Sequence, residues 1–125
     1  MTTKAEIIEE TANYYNLTNR GYDAEFGCLY VTREGNKCAV GRCLNQLGEN
    51  LAIDIEGSVY TFIEWLKGTD KNFEDLLLEQ YKGHKVEFWS DLQKFHDEKF
   101  NFNETGLSIW GIREKDNLLN KWSDS

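Results

Sequence analysis

From Val59 to Trp122 the apolar residues recur at helical spacing, and glycines or polar runs interrupt them. Val59, Phe62, Ile63 and Leu66 share one helical face, with Gly68 placed as a C-terminal stop. Asn72 is positioned to cap a second helix carrying Phe73, Leu76, Leu77 and Tyr81, closed by Gly83. Val86, Trp89, Leu92 and His96 make one stripe of a third, flanked by Phe88 and Phe95. After a polar-aromatic loop from Phe100 to Gly106, Ser108 to Trp122 reads as a last helix. Near the other end, Thr3 and Glu6 have capping-box spacing and open a helix whose buried stripe is Ala5, Ile8, Ala12 and Tyr15.

Between these helical stretches the period changes. Gly27–Thr32 and Lys37–Val40 are short runs rich in Val, Leu, Tyr and Cys around Arg33-Glu-Gly-Asn36, a hairpin pattern, and Leu51–Ile55 is a candidate third strand. The expected fold class is therefore α+β, a small antiparallel β-hairpin or sheet packed against four or five helices. With 125 residues, no internal repeat and no linker, residues 1–125 are expected to form one compact domain.

Twenty-two acidic against fourteen basic residues give a net charge of −8, and no segment forms a basic patch. Such a surface repels phosphate, so direct nucleic-acid binding is not expected. The most lopsided stretch, residues 51–82, holds seven acids (Asp54, Glu56, Glu64, Asp70, Glu74, Asp75 and Glu79) against three lysines. It reads either as a solvated surface or as an acidic face for a basic partner. Trp110 and Trp122 are the aromatic candidates for a partner-binding stripe, with core packing as the alternative. The first ten residues are charged and unlike a signal peptide, and no apolar run reaches membrane-spanning length. A cytoplasmic location with reduced thiols is expected, in keeping with an odd number of cysteines.

Chemistry, if any, should involve Cys28, Cys38, Cys43 and His96. One reading is structural, since cysteine is among the most buried residue types. A second is a Cys3His zinc site built from all four. A third is a thiol nucleophile, Cys38 or Cys28, activated by His96. Asp97 is not expected to orient His96, because adjacent helical residues point about 100° apart, unless the helix ends there. Asp91 and Asp97 read as solvated, and His84 as a surface residue in a turn. Gly41-Arg42 could hold a small nucleotide-like anion, or Gly41 could permit a bend while Arg42 pairs with an acid.

The segments Gly27-Cys-Leu-Tyr30, Gly35-Asn-Lys-Cys-Ala-Val-Gly-Arg42, Glu56-Gly57, Asp91-Leu-Gln-x-x-His-Asp97 and Gly106-Leu-Ser108 together resemble a family of small proteins encoded by phages and bacteria. The most specific part is Lys37-Cys-Ala-Val-Gly41 joined to a distant His96-Asp97. The resemblance implies that Cys28, Cys38, His96 and Asp97 come together in space, and it leaves Cys43 outside the pattern. It supplies an origin and no mechanism. Small acidic phage-type proteins commonly occupy a host factor. The resulting expectation is a non-catalytic accessory protein in the host cytoplasm, without a cofactor, that binds and inhibits a host protein with a basic surface, such as a defence component. The alternatives are a thiol enzyme and sequestration of a small anion.

Overall fold

A computed structural model of the chain describes residues 2–16, 22–23, 27–28, 37–52 and 59–122. Helix α1 (Lys4–Tyr14) begins on the expected capping box: Thr3 Oγ1 accepts from the Glu6 amide at 3.1 Å, and the Glu6 carboxylate accepts from the Thr3 amide at 2.9 Å. Its buried face comprises Ile7, Ile8, Thr11 and Ala12 and continues to Tyr15. That face is centred on Thr11, which leaves Ala5 exposed rather than in the expected stripe.

Strands β1 (Tyr22–Asp23) and β2 (Gly27–Cys28) pair antiparallel, Tyr22 opposite Cys28. Residues 29–36, which carry most of the expected hairpin, lie outside the described set. Of its second arm, Lys37 alone makes a β-bridge. Cys38, Ala39 and Val40 are all fully buried, and the chain turns at Ala39–Val40 into a 3₁₀ turn, Gly41–Cys43. A short apolar run buried on every side carries no alternation that distinguishes strand from turn.

Helix α2 (Gln46–Ala52) starts where Asn45 Oδ1 accepts from the Gly48 amide at 2.8 Å. Leu51 and Ala52 are thus helical, correcting the start of the expected third strand, whose remainder lies outside the described residues. Helix α3 (Val59–Leu66) buries Val59, Phe62 and Leu66 as the periodicity requires. The helix expected after Asn72 is instead two 3₁₀ turns, Phe73–Leu76 and Glu79–Tyr81, although Asn72 and Asp75 do form a capping box. The break has a tertiary cause. Leu77 bridges Leu44, the Leu78 amide donates to Cys43 O (2.9 Å), and Leu76 O accepts from the Asn45 amide (2.8 Å), so this backbone bonds across rather than along the chain.

Helix α4 (Val86–Asp97) is the centre of the molecule, burying Phe88, Trp89, Ser90, Leu92, Gln93, Phe95 and His96. A 3₁₀ turn (Lys99–Asn101) and an antiparallel pair, β3 (Phe102–Asn103) and β4 (Gly106–Leu107), lead into α5 (Ile109–Lys121), which Ser108 caps. Helices α1, α3 and α5 pack on α4, and α1 also meets β4. Edge-on ring contacts run from Phe62 through Phe73, Trp89 and Phe88 to Trp122, with centroids 5.2–6.4 Å apart. The fold is α+β as expected, with five α-helices and two small antiparallel ladders among the described residues. Among those residues no helix is long and apolar enough to cross a membrane.

Candidate functional site

The turn after Lys37 and the last turns of α4 bring together Cys38, Gln93, Asp97 and His96. The Gly41 amide donates to Cys38 Sγ at 3.3 Å, and the Val40 amide donates to Gln93 Oε1 at 3.2 Å. Gln93 Nε2 donates to Asp97 Oδ1 at 2.9 Å, and the same oxygen lies 3.0 Å from His96 Nδ1. An ionised carboxylate only accepts, which assigns the imidazole proton to Nδ1. The expectation that Asp97 cannot reach His96 is therefore corrected. Asp97 is the final residue of α4, the backbone is extended at Glu98, and Gln93 one turn earlier holds the Asp97 oxygen against Nδ1. Asp97 is accordingly not simply solvated.

His96 is fully buried, with the Tyr15 ring edge-on at 4.6 Å and the Tyr15 hydroxyl donating to Lys37 O at 2.6 Å. Cys38 is fully buried too, and burial pushes its thiol pKa well up; Asp97 adds to the rise while the Gly41 amide opposes it. Asp97→Ala removes the acceptor from a buried N–H and is expected to destabilise the fold by about 2 kcal/mol at neutral pH. A urea midpoint shift at unchanged m-value would measure this. A stability equal to wild type would mean that the pair holds nothing in place.

Cys43 lies in different surroundings. Burial pushes its thiol up to about 12, with Arg42 opposing and Glu10 adding. Arg42 donates to Glu10 Oε1 (3.3 Å), the Tyr81 hydroxyl (3.2 Å) and Thr11 Oγ1 (3.4 Å), and its guanidinium stands 5.7–5.8 Å from the Tyr81 and Tyr14 ring centres. The bend-and-acid-pair alternative for Gly41-Arg42 is thus the arrangement present. Among the described residues no three His, Cys, Asp or Glu side chains converge as a metal-binding group. The pairing of Gly27–Cys28 with β1 is described, but the Cys28 side chain is outside the described set.

Asp54 and Glu56 also lie outside it. The other five acids of the lopsided stretch all have local partners. Glu64, Asp70 and Glu79 stand 3.0, 3.8 and 3.4 Å from Lys67, Lys71 and Lys82. Glu74 accepts from the Gly83 amide at 2.6 Å, and Asp75 serves the Asn72 capping box. Each lysine cancels part of the field that composition alone assigns to this stretch.

The two tryptophans separate. Trp122 is half-buried against Phe88, with Nε1 donating to Asp91 Oδ2 at 3.1 Å, and Lys121 sits 2.7 Å from the same oxygen. Asp91 is therefore a fixed acceptor rather than a solvated acid. His84, read as a surface residue, is half-buried with Nε2 donating to Thr2 O at 2.8 Å. Trp110 is 61% exposed, beside Ile109 and Ile112 in the first turn of α5, and Phe100 just before is 66% exposed. Trp110 and Phe100 line one groove of about 780 Å³ between α4 and α5. Sequence reasoning missed Gln93, Phe100 and this groove. The signals for Gln93 are its place in the Asp91-Leu-Gln-x-x-His-Asp97 segment and its position four residues before Asp97, on the same helix face. The chain matches no protein-family model, no curated protein and no solved structure, so the reading of its site rests on its own geometry.

Proposed function

We propose that the protein is a non-catalytic accessory protein of phage type, acting in the host cytoplasm, that binds and inhibits a host protein through an acidic and aromatic surface. The observation that carries this reading is the exposure of Phe100, Ile109, Trp110 and Ile112 around the start of α5. Large apolar side chains gathered at one place on a surface mark an interaction site. Buried thiols with raised pKa values hold little thiolate at neutral pH and are poor nucleophiles, which favours binding over catalysis. The net charge of −8 suits a basic partner surface.

Two measurements test the proposal. Iodoacetamide at neutral pH should modify Cys38 and Cys43 only as the protein unfolds. Tagged protein should retain a host protein from extract and release it at about 0.5 M salt, where exposed charges are screened. Salt-insensitive retention would remove the electrostatic part of the reading. Rapid alkylation of Cys38 in the folded protein would overturn it in favour of a thiol enzyme. That second reading has one specific support: Nδ1–H held by a carboxylate is the arrangement in which an imidazole acts as a base through Nε2.

A further inference from the structure

We propose that the groove between α4 and α5 is the docking site, and that its occupant is a basic amphipathic helix presented by a partner protein. This rests on the binding reading above and names its surface and partner chemistry. The floor of the groove is apolar, from Phe95 and Leu118, and Phe100 and Trp110 stand exposed beside it. Two aromatic anchors over an apolar floor are the arrangement that receives the hydrophobic stripe of a helix. The Arg113 guanidinium lies 5.5 Å from the Trp110 ring centre and steadies the indole, so less side-chain entropy is lost on binding. Thirteen residues of α5 give a wall about 20 Å long, matching three to four turns of a docked helix.

Charge selects the occupant. On the rim, Asp91 and Lys121 neutralise each other at 2.7 Å. Lys94 and Arg113 balance Glu98 and Glu114, so the selecting field is that of the whole chain, whose net charge is −8. A second copy would bring another −8 to the same face, and an anionic membrane would be repelled likewise.

The test uses two synthetic helical peptides with one leucine stripe, the first with lysine and the second with glutamate on the polar face. Each is titrated into the whole protein by calorimetry. The lysine peptide should bind, and the glutamate peptide should bind at least about tenfold more weakly. Trp110→Ala should weaken the lysine peptide by about tenfold or more while leaving the melting temperature unchanged, since the side chain is exposed. Phe100→Ala should act in the same direction. Binding of neither peptide, equal binding of both, or indifference to Trp110→Ala would overturn the proposal. So would sedimentation of the protein as a dimer that Trp110→Ala dissolves. Host-protein capture that survives Trp110→Ala would sink the groove and leave the broader reading standing, whereas rapid alkylation of Cys38 would sink the broader reading itself.

Discussion

Raising the pH from about 7 to about 10.5 is expected to remove about 4 kcal/mol of folding free energy through the two buried thiols. Burial is the main cause of the raised pKa at both Cys38 and Cys43, whose ordinary value is 9.0. Between that value and about 12 for Cys43, the unfolded chain has released its proton while the folded chain keeps it. The unfolded state then binds fewer protons, so stability falls as pH rises. The contribution is fully present below about pH 9 and declines by about 1.4 kcal/mol per pH unit per thiol above it. One and a half units at two thiols give the stated loss, a large share of a typical total of about 5–15 kcal/mol. Tyr15, also raised chiefly by burial, adds to the loss above its ordinary 10.0. Urea unfolding between pH 7 and pH 10.5 measures the effect, and Cys43→Ala should remove one thiol's share of the slope. A flat profile from pH 9 upward would mean that the folded thiols ionise at or below their ordinary value, and the enzyme reading requires the lower case.

What was legible in the sequence was local. The Thr3–Glu6 box is located by spacing, the Asn72 cap by residue type, and Ser108 is read as the start of the last helix that it caps. The stripe of α4 was equally plain, because its period extends over twelve residues. The failures are places where distant backbone decides. Phe73–Tyr81 has helical spacing, yet the bridge to Leu44 takes the Leu78 amide and the Leu76 carbonyl that a helix would use. Lys37–Val40 has strand composition, yet after the bridge at Lys37 the fully buried Cys38–Val40 turns away. At the site, the juxtaposition of Cys38, Asp97 and His96 was implied by family resemblance and not by spacing. The link between them, Gln93, shows only once α4 is set against the turn at Val40. For Trp110 the sequence leaves both uses open, a partner-binding stripe and core packing. Its helix places an apolar residue at nearly every position of the first turn, and with Gly111 seated on Asn101 the other three, Ile109, Trp110 and Ile112, are exposed.

At that contact, Gly111→Ala is expected to destabilise the protein by about 3 kcal/mol, against local propensity. In an open helix the same change gains roughly 0.5–1 kcal/mol, because alanine loses less backbone entropy on folding. Here a Cβ on Gly111 would fall on the carbonyl oxygen of Asn101, 2.8 Å from its carbonyl carbon and 2.9 Å from Leu107 Cδ2. The carbonyl cannot yield easily. It accepts from the Ser108 amide at 2.9 Å, and the buried Asn101 side chain donates to Phe95 O at 2.9 Å. Helix α5 must therefore move, straining the Ser108 cap, whose Oγ accepts from the Gly111 amide at 3.1 Å and donates to Phe100 O. Gly68→Ala is the control. Its Cβ would meet nothing closer than Trp65 O at 3.6 Å, an ordinary contact, so its stability should stay within about 0.5 kcal/mol of wild type. The displaced helix also carries Trp110 away from Phe100, so Gly111→Ala should lose the lysine peptide although both aromatic anchors are present. A Gly111→Ala protein as stable as wild type, and still binding, would mean that α5 does not seat on Asn101 closely enough to set the groove.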